Sequence, residues 1–579
     1  MNMKKILYPI YAALLLTFGA LTISCVGDLE ALPFNDDDFN SENAYGNEYA
    51  NYVSGLAKLY RAFNNTDDLE VDDAGASELV RAFWCIQESS TDACKNNWKD
   101  SWTQDINMNT WSTADNTATY ALYCRTLHGI TYANEFLRQT TDEKLSERGC
   151  DQALIERIHS LRAEARFIRA YLYWMGMDTF GDVPFVTEES EFGAVSPEQK
   201  SRSDVFDFII GELTELAGGD ELQAAGSNYP RVDKGSAWGL LSRIYLNAQV
   251  YKSTVDENGN VTAKGEEMWD ECIAACEEIF KCSYDLCDNY ADLFRGDNGT
   301  NPDAYQEFLF AIDYDEISMN GWGGTIFLVQ SCFSAGDDND ENGNPLYSLG
   351  VKDGWAGIRM PSEYVFKYFG VTVPEDGYDD EGKYTGVYEN PRNDDRARLF
   401  FNKGHYEEMT DIEEFTQGWS FYKYNNIPHD KTREEFYNTA ASYGTTSAKC
   451  GVDYPMIRLA EIYLNYAEAC LHTGQTSEGL EYLNKVRERS GLEPLGTYGL
   501  EDVQNERAVE LAWEGLRRID LIRWDMFCGG NYLWKWKGGS YEGQPFSEHM
   551  LVFDFPQSEI TANSNLSHKP GYTPAASNN

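Results

Sequence analysis

Cysteine 25 stands in the stretch LTISCVGDLE (residues 21–30), behind an apolar run and a small serine and ahead of acidic residues. The chemistry open to a thiol in that setting is acylation. Lys4 and Lys5 open the chain with positive charge, residues 6–23 are almost wholly apolar, and Ser24 supplies a small residue at a cleavage point. That is the pattern of an export signal over residues 1–24. A signal-anchor helix competes with it, since the run approaches the length of a membrane span. Cys25 argues for cleavage: a cut just before a cysteine is the bacterial lipoprotein arrangement, although Thr22 replaces the usual Leu. One acyl chain anchors only marginally, so a lasting anchor needs several. Asp28 and Glu30 read as the start of a solvated linker, residues 25–50.

No catalytic constellation accompanies this thiol. The seven histidines, at 128, 159, 405, 429, 472, 549 and 568, are scattered and form no H-E-x-x-H pattern. There is no Walker A motif, no G-x-S-x-G and no Rossmann glycine run. Cys272 and Cys276 are spaced i,i+4, with Cys282 and Cys287 downstream, which suits buried thiols better than a metal site. Exported chains also permit disulfides, Cys85 with Cys94 for example, though connectivity is not readable from sequence. With 95 Asp and Glu against 47 Lys and Arg, the chain carries −48, and loss of the leader takes it near −50. A field of that sign repels nucleic acid and anionic lipid. Among 95 acids some pair always fits a glycosidase separation by chance, so the count is no evidence for hydrolysis.

The chemistry that remains is stacking. Of fourteen tryptophans, Trp174, Trp238 and Trp513 lie on helical faces and read as core. Trp98 and Trp355 sit in polar loops, and Trp322 is flanked by Gly321, Gly323 and Gly324. An indole face covers the apolar C–H face of a sugar ring, while polar side chains meet its hydroxyl rim. The glycines allow close approach of backbone to a ligand, or they simply make a turn.

The elements that must carry these loops are helical. Periodic apolar stripes predict helices over 119–138, 160–185, 234–251 and 268–280, the last two packed together. Residues 458–491 form two amphipathic stretches around Thr473–Gly474, a helix–turn–helix of tetratricopeptide length. A further helix is predicted over 505–527 and a short strand over 551–556. Between the helical pairs, residues 84–117, 296–360 and 371–450 are rich in Gly, Asn, Asp and aromatics. Loops of that length usually carry function or are disordered, and a helical scaffold displaying aromatic loops is a binding architecture.

The stretches RAEARFIRAYLYWMGMDTFGDVPF, MIRLAEIYLNYAEACLHTG and ERAVELAWEGLRRIDLIRWDMF, with YLWKWKGG at 532–539, resemble the SusD-like family of Bacteroidetes outer-membrane glycan-binding lipoproteins, its starch-binding founding member in particular. The resemblance implies a mainly α fold over 51–579: a right-handed superhelix of four tetratricopeptide-like helix pairs, with an irregular loop-rich lobe and a few short strands. It implies a surface-exposed outer-membrane lipoprotein, since acids after the cysteine resemble the family's export signal. It implies a SusC-like TonB-dependent transporter as partner, a polysaccharide ligand, no enzymatic activity, no cofactor and no nucleic acid. Carried onto this chain, the glycan site falls on Asp73, Arg81, Trp98, Trp322 and Trp355. Asn96 stands where an aromatic is expected, Ser101 replaces an amide, and Trp102 offers compensation for the thinner arc. A salt bridge explains Asp73 and Arg81 equally well. Gly299 and Gly451 replace the carboxylates of the family's calcium site and leave Asp453 alone, so no metal is expected there. The ligand implied is an α-glucan or another neutral polysaccharide. A protein-interaction scaffold is the rival reading of the helical pairs.

Overall fold

The computed structural model describes residues 44–66, 78–112, 116–190, 196–315, 322–333, 349–351, 354–440 and 450–572. Asp73, Cys25 and the leader lie outside these residues.

The helices that organise the described chain are α1 (Tyr49–Tyr60), α2 (Leu79–Trp84), α3 (Ser101–Met108), α4 (Thr117–Gln139), α5 (Gln152–Phe180), α6 (Arg202–Gly218), α7 (Lys234–Leu246), α8 (Trp269–Phe280), α9 (Gly324–Ser331), α10 (Leu459–Thr473), α11 (Thr476–Arg489), α12 (Leu500–Glu510) and α13 (Arg517–Arg523). The local reasons are visible at their ends. Asn116, Asp151, Ser201 and Asp233 each accept a backbone N–H in the first turn of α4, α5, α6 and α7, which satisfies donors that a helix start leaves orphaned. Gly474, with φ +81°, ends α10 in the left-handed region, a conformation glycine takes without penalty.

Packing follows chain order: α4 on α5, α5 on α6, α6 on α7, α7 on α8. The chain then leaves the stack for some 180 residues and returns with α10, which packs directly on α8, followed by α11 and α12. The excursion builds the irregular lobe. Besides helical segments such as α9, its regular pieces are short antiparallel pairs, one of them made with a strand from earlier in the chain: β1 (Lys95–Asn96) with β3 (Ile358–Arg359), β2 (Phe308–Ile312) with β6 (Tyr454–Arg458), and β4 (Phe400–Phe401) with β5 (Ser420–Phe421). The fold is thus mainly α with a few short strands. Among the described residues, no helix is long and apolar enough to cross a membrane.

Lobe and stack are joined by buried charge. Arg458, at the end of β6, donates to Glu307, Glu510 and Glu514. Arg396 of the lobe donates to Asp394, Glu506 and Glu510. Removing one partner of such a network costs about 3–5 kcal/mol, because the others are left buried and uncompensated.

Three expectations are corrected. The helix foreseen over 505–527 is two helices, α12 and α13, separated by residues 511–516. Trp513 there has φ +63° and a fully buried indole whose Nε1 donates to Ala93 O. The freed backbone groups are used by the lobe: Trp84 Nε1 and the Tyr424 hydroxyl donate to Trp513 O, and Gly515 N donates to Glu88. Residues 551–556 form no strand; Phe553 and Phe555 are buried, and Phe553 N donates to Thr179 O. Cys85 and Cys94 form no disulfide, and none of the twelve described cysteines is disulfide-bonded. Cys272 and Cys276 point at backbone carbonyls of α7 and α10. Trp174 is fully buried as expected, whereas Trp238 is half-buried.

Candidate functional site

Trp98 stands two residues past the end of β1, and the residues around β1 are clamped from several sides. The buried Lys95 ammonium donates to Ser89 O at 3.2 Å, Thr91 O at 2.6 Å and Asn107 O at 3.1 Å. Burial pushes its pKa down to about 8. Asn107 of α3 closes a two-point bond on Asn96, Nδ2 to Asn96 O at 2.6 Å and Oδ1 from Asn96 N at 3.0 Å. Gln104 Nε2 donates to Trp98 O at 2.6 Å. On the far side Asn97 N donates to Gly357 O at 2.7 Å, and its carboxamide to Ile412 O at 2.8 Å.

The Trp98 ring lies on Phe327 of α9, centroids 5.9 Å apart, and over the bare backbone of Gly357. Trp355 follows: its N–H donates to Gln330 O, and its ring sits 6.5 Å from Trp98 and 5.7 Å from Trp322. The three loop tryptophans therefore form one continuous chain, Trp98–Trp355–Trp322. Trp98 and Trp355 are half-buried, and Trp322 is 40% exposed.

Arg81 lies behind this chain rather than on its rim. It is buried, its guanidinium stands 4.2 Å from the Phe327 ring and 6.0 Å from the Trp98 ring, and Nη1 donates to Trp322 O at 3.2 Å. It holds the backbone of one tryptophan and the ring of another. Asn96 is buried in β1, with its side-chain oxygen accepting from Trp98 N; it shapes the loop from inside. Ser101 is exposed at the start of α3. Trp102 is half-buried, its carbonyl accepting from Asn116, with no ring contact to the three-indole chain among the described residues.

The glycines beside Trp322 have a packing reason. A Cβ at Gly323 would come within 2.2 Å of Glu78, and one at Gly324 within 2.0 Å of the Tyr314 hydroxyl. Those two groups bond to each other at 2.6 Å, and burial raises the Glu78 pKa to about 7. Phe327, Gly357, Lys95 and Asn107 were not singled out by sequence reasoning. Gly357, two residues past a loop tryptophan, was the one available signal.

At the position compared with a calcium site, Asp453 accepts from Tyr314 N at 3.0 Å and from the Tyr229 hydroxyl at 2.6 Å. Burial, together with the Asp313 carboxyl beside it, raises its pKa to about 7. A Cβ at Gly299 would fall 2.2 Å from its Oδ2. Elsewhere, Asp297, His429 and Asp430 could bring three ligand atoms within 4.8 Å of one another.

The SusD family profile matches residues 306–572, and a profile described as starch-binding, associating with outer membrane, matches residues 57–246. The starch-binding protein SusD of Bacteroides thetaiotaomicron is 30% identical, over 99% of this chain and 100% of that protein. Among solved structures, a SusD superfamily protein from Parabacteroides distasonis superposes with a TM-score of 0.63 at 20% identity, covering 92% of this chain and 100% of the other. A laminarin-binding SusD-like protein superposes with a TM-score of 0.62 at 20% identity, covering 91% and 100%. The helical stack, the loop lobe and the full-length relative agree, and the chain belongs to the SusD family.

Proposed function

We propose that this chain is a surface-exposed outer-membrane lipoprotein, anchored through Cys25, that captures a neutral polysaccharide and passes it to a SusC-like TonB-dependent transporter. The ligand that fits best is starch or a related α-glucan. One observation carries the reading: Trp98, Trp355 and Trp322 stand in ring-to-ring sequence with the outermost 40% exposed. Successive sugar rings of one polymer would lie along successive indoles. Burying one large apolar side chain is worth about 1.5–3 kcal/mol, so the gross gain from three faces is roughly 5–9 kcal/mol, much of it cancelled by ordering the oligosaccharide. The expected affinity is on the order of micromolar to millimolar, strengthened by many receptors engaging one polymer.

An α-glucan is supported by the full-length relative, a starch-binding protein. Affinity gels cast with starch, pullulan, dextran, laminarin and xyloglucan test it. Starch or pullulan should retard the protein, and the Trp98→Ala, Trp322→Ala, Trp355→Ala triple variant should run free. Unchanged migration of a folded triple variant would remove the site. Retardation by laminarin or xyloglucan alone would favour the second reading, another neutral polysaccharide. New reducing ends on incubation with any of these polymers would overturn the non-enzymatic reading.

A further inference from the structure

A second cavity lies on the lobe, outside the indole chain. It has a volume of about 260 Å³ and sits where residue 295 runs beside residue 425, next to the β4–β5 pair. Its charge is the reverse of the molecule's. The chain holds 95 acids against 47 bases, yet Arg295, Arg398 and Lys423 line this cavity and no described Asp or Glu does.

Lys423 is already committed, its ammonium donating to Ala512 O at 2.6 Å and bonded to Glu514. Arg295 is not. Its Nε is buried without a hydrogen-bond partner, and no carboxylate pairs with the guanidinium among the described residues. Asp292 and Asp297 are near enough to act on it through space, without an ion pair to either among the described residues. Burial disfavours its charge, a cost that an arriving anion would offset. Arg398 commits its Nε to Asp395 at 2.8 Å and is 62% exposed, which leaves its two terminal nitrogens for a ligand. Beside the two arginines, Phe401 and Tyr422 stack in parallel, 5.5 Å apart at 10°.

We propose that this cavity binds a carboxylate-bearing sugar, a uronic acid residue, with the carboxylate between Arg295 and Arg398 and the ring beside Phe401 and Tyr422. Guanidinium forks match carboxylates in plane and bidentately, and aromatic rings take the C–H face of a pyranose. The volume lies just under the ~300–1,000 Å³ of pockets that hold drug-sized ligands, which suits one sugar ring rather than an oligosaccharide. The site is separate from the indole chain and does not depend on it.

Ligand-observed NMR titration of the full mature chain tests the assignment with methyl β-D-glucuronide, methyl β-D-glucoside and acetate. The glucuronide should bind, at least tenfold more weakly in Arg295→Gln, at least threefold more weakly in Arg398→Gln, and more weakly as salt is raised. Arg398 is on the surface, so its variant reports even where Arg295→Gln folds poorly. The triple tryptophan variant should bind the glucuronide unchanged, which separates this site from the neutral-glycan site. Equal binding of glucoside and glucuronide, or no effect of either arginine variant, would overturn the proposal. Acetate binding as tightly as the glucuronide would overturn the sugar and leave only a bare carboxylate site.

Discussion

The Trp98 indole lies across Gly357 so closely that a Cβ at position 357 would stand 2.2 Å from Cζ2 of the ring. No flexible side-chain end is available to move; the obstacle is the aromatic plane itself. Gly357→Ala must therefore push Trp98 off Phe327 and out of line with Trp355. Overpacking of this kind costs about 1–3 kcal/mol. We expect weaker retardation in starch gels and a shifted tryptophan emission spectrum, with far-UV circular dichroism unchanged. Retention of full binding would show that the ring's position is not what the ligand reads.

Trp322→Ala separates ligand contact from folding. Trp322 is the most exposed of the three indoles, and the bond it receives from Arg81 goes to its backbone oxygen, which alanine keeps. Losing one stacking face should lower glycan affinity by about tenfold, using the lower end of the ~1.5–3 kcal/mol for one large side chain. The melting temperature should move by no more than a degree or two. A large fall in melting temperature would instead mark Trp322 as a packing residue.

Lys95→Met tests the support beneath Trp98. The methionine fills the same channel but leaves the carbonyls of Ser89, Thr91 and Asn107 without their shared donor. Each buried acceptor left unpaired costs about 1–3 kcal/mol. Denaturant unfolding should show a loss of about 3–5 kcal/mol, and glycan binding should weaken because the β1 loop is no longer fixed. Loss of stability with binding untouched would mean that α3, through Gln104 and Asn107, holds Trp98 without help from Lys95.

The helices of the stack were legible because their apolar residues repeat at helical spacing and their ends carry Asn, Asp, Ser and Gly. The three loop tryptophans were legible as a group because each sits among polar or glycine residues where core packing gives no reason for an indole. What stayed hidden was direction. Nothing in the sequence around Arg81 says that its guanidinium turns inward under Phe327, or that Asn96 is swallowed by β1; the first depends on α9, more than 200 residues further along the chain, and the second on strands paired at a similar separation, Lys95 with Arg359 and Asn96 with Ile358. The break at residues 511–516 was hidden for the same reason. Its local pattern is helical, and only the distant groups of Trp84, Glu88 and Tyr424 make it pay to leave the helix. Asp73, the other polar residue expected at the site, lies outside the described residues.

Asp453→Asn should make the protein more stable at neutral and alkaline pH and no different in acid. Burial, with the Asp313 carboxyl beside it, raises the Asp453 pKa from 3.8 to about 7. A carboxyl that binds its proton more tightly in the folded state than in the unfolded one lowers stability as pH rises between the two values, here from about pH 4 to about pH 7. Above that window the wild-type protein carries a buried anion, a cost of up to about 4 kcal/mol at ~1.36 kcal/mol per pKa unit. Asparagine keeps an acceptor for Tyr314 N or the Tyr229 hydroxyl and removes the charge. Thermal unfolding of both proteins at pH 4, 6 and 8 reads the difference: equal melting temperatures at pH 4, and the variant higher at pH 8. A constant offset across the three pH values would mean that Asp453 does not titrate in this window and that its carboxylate is stabilised by groups other than the two donors seen here.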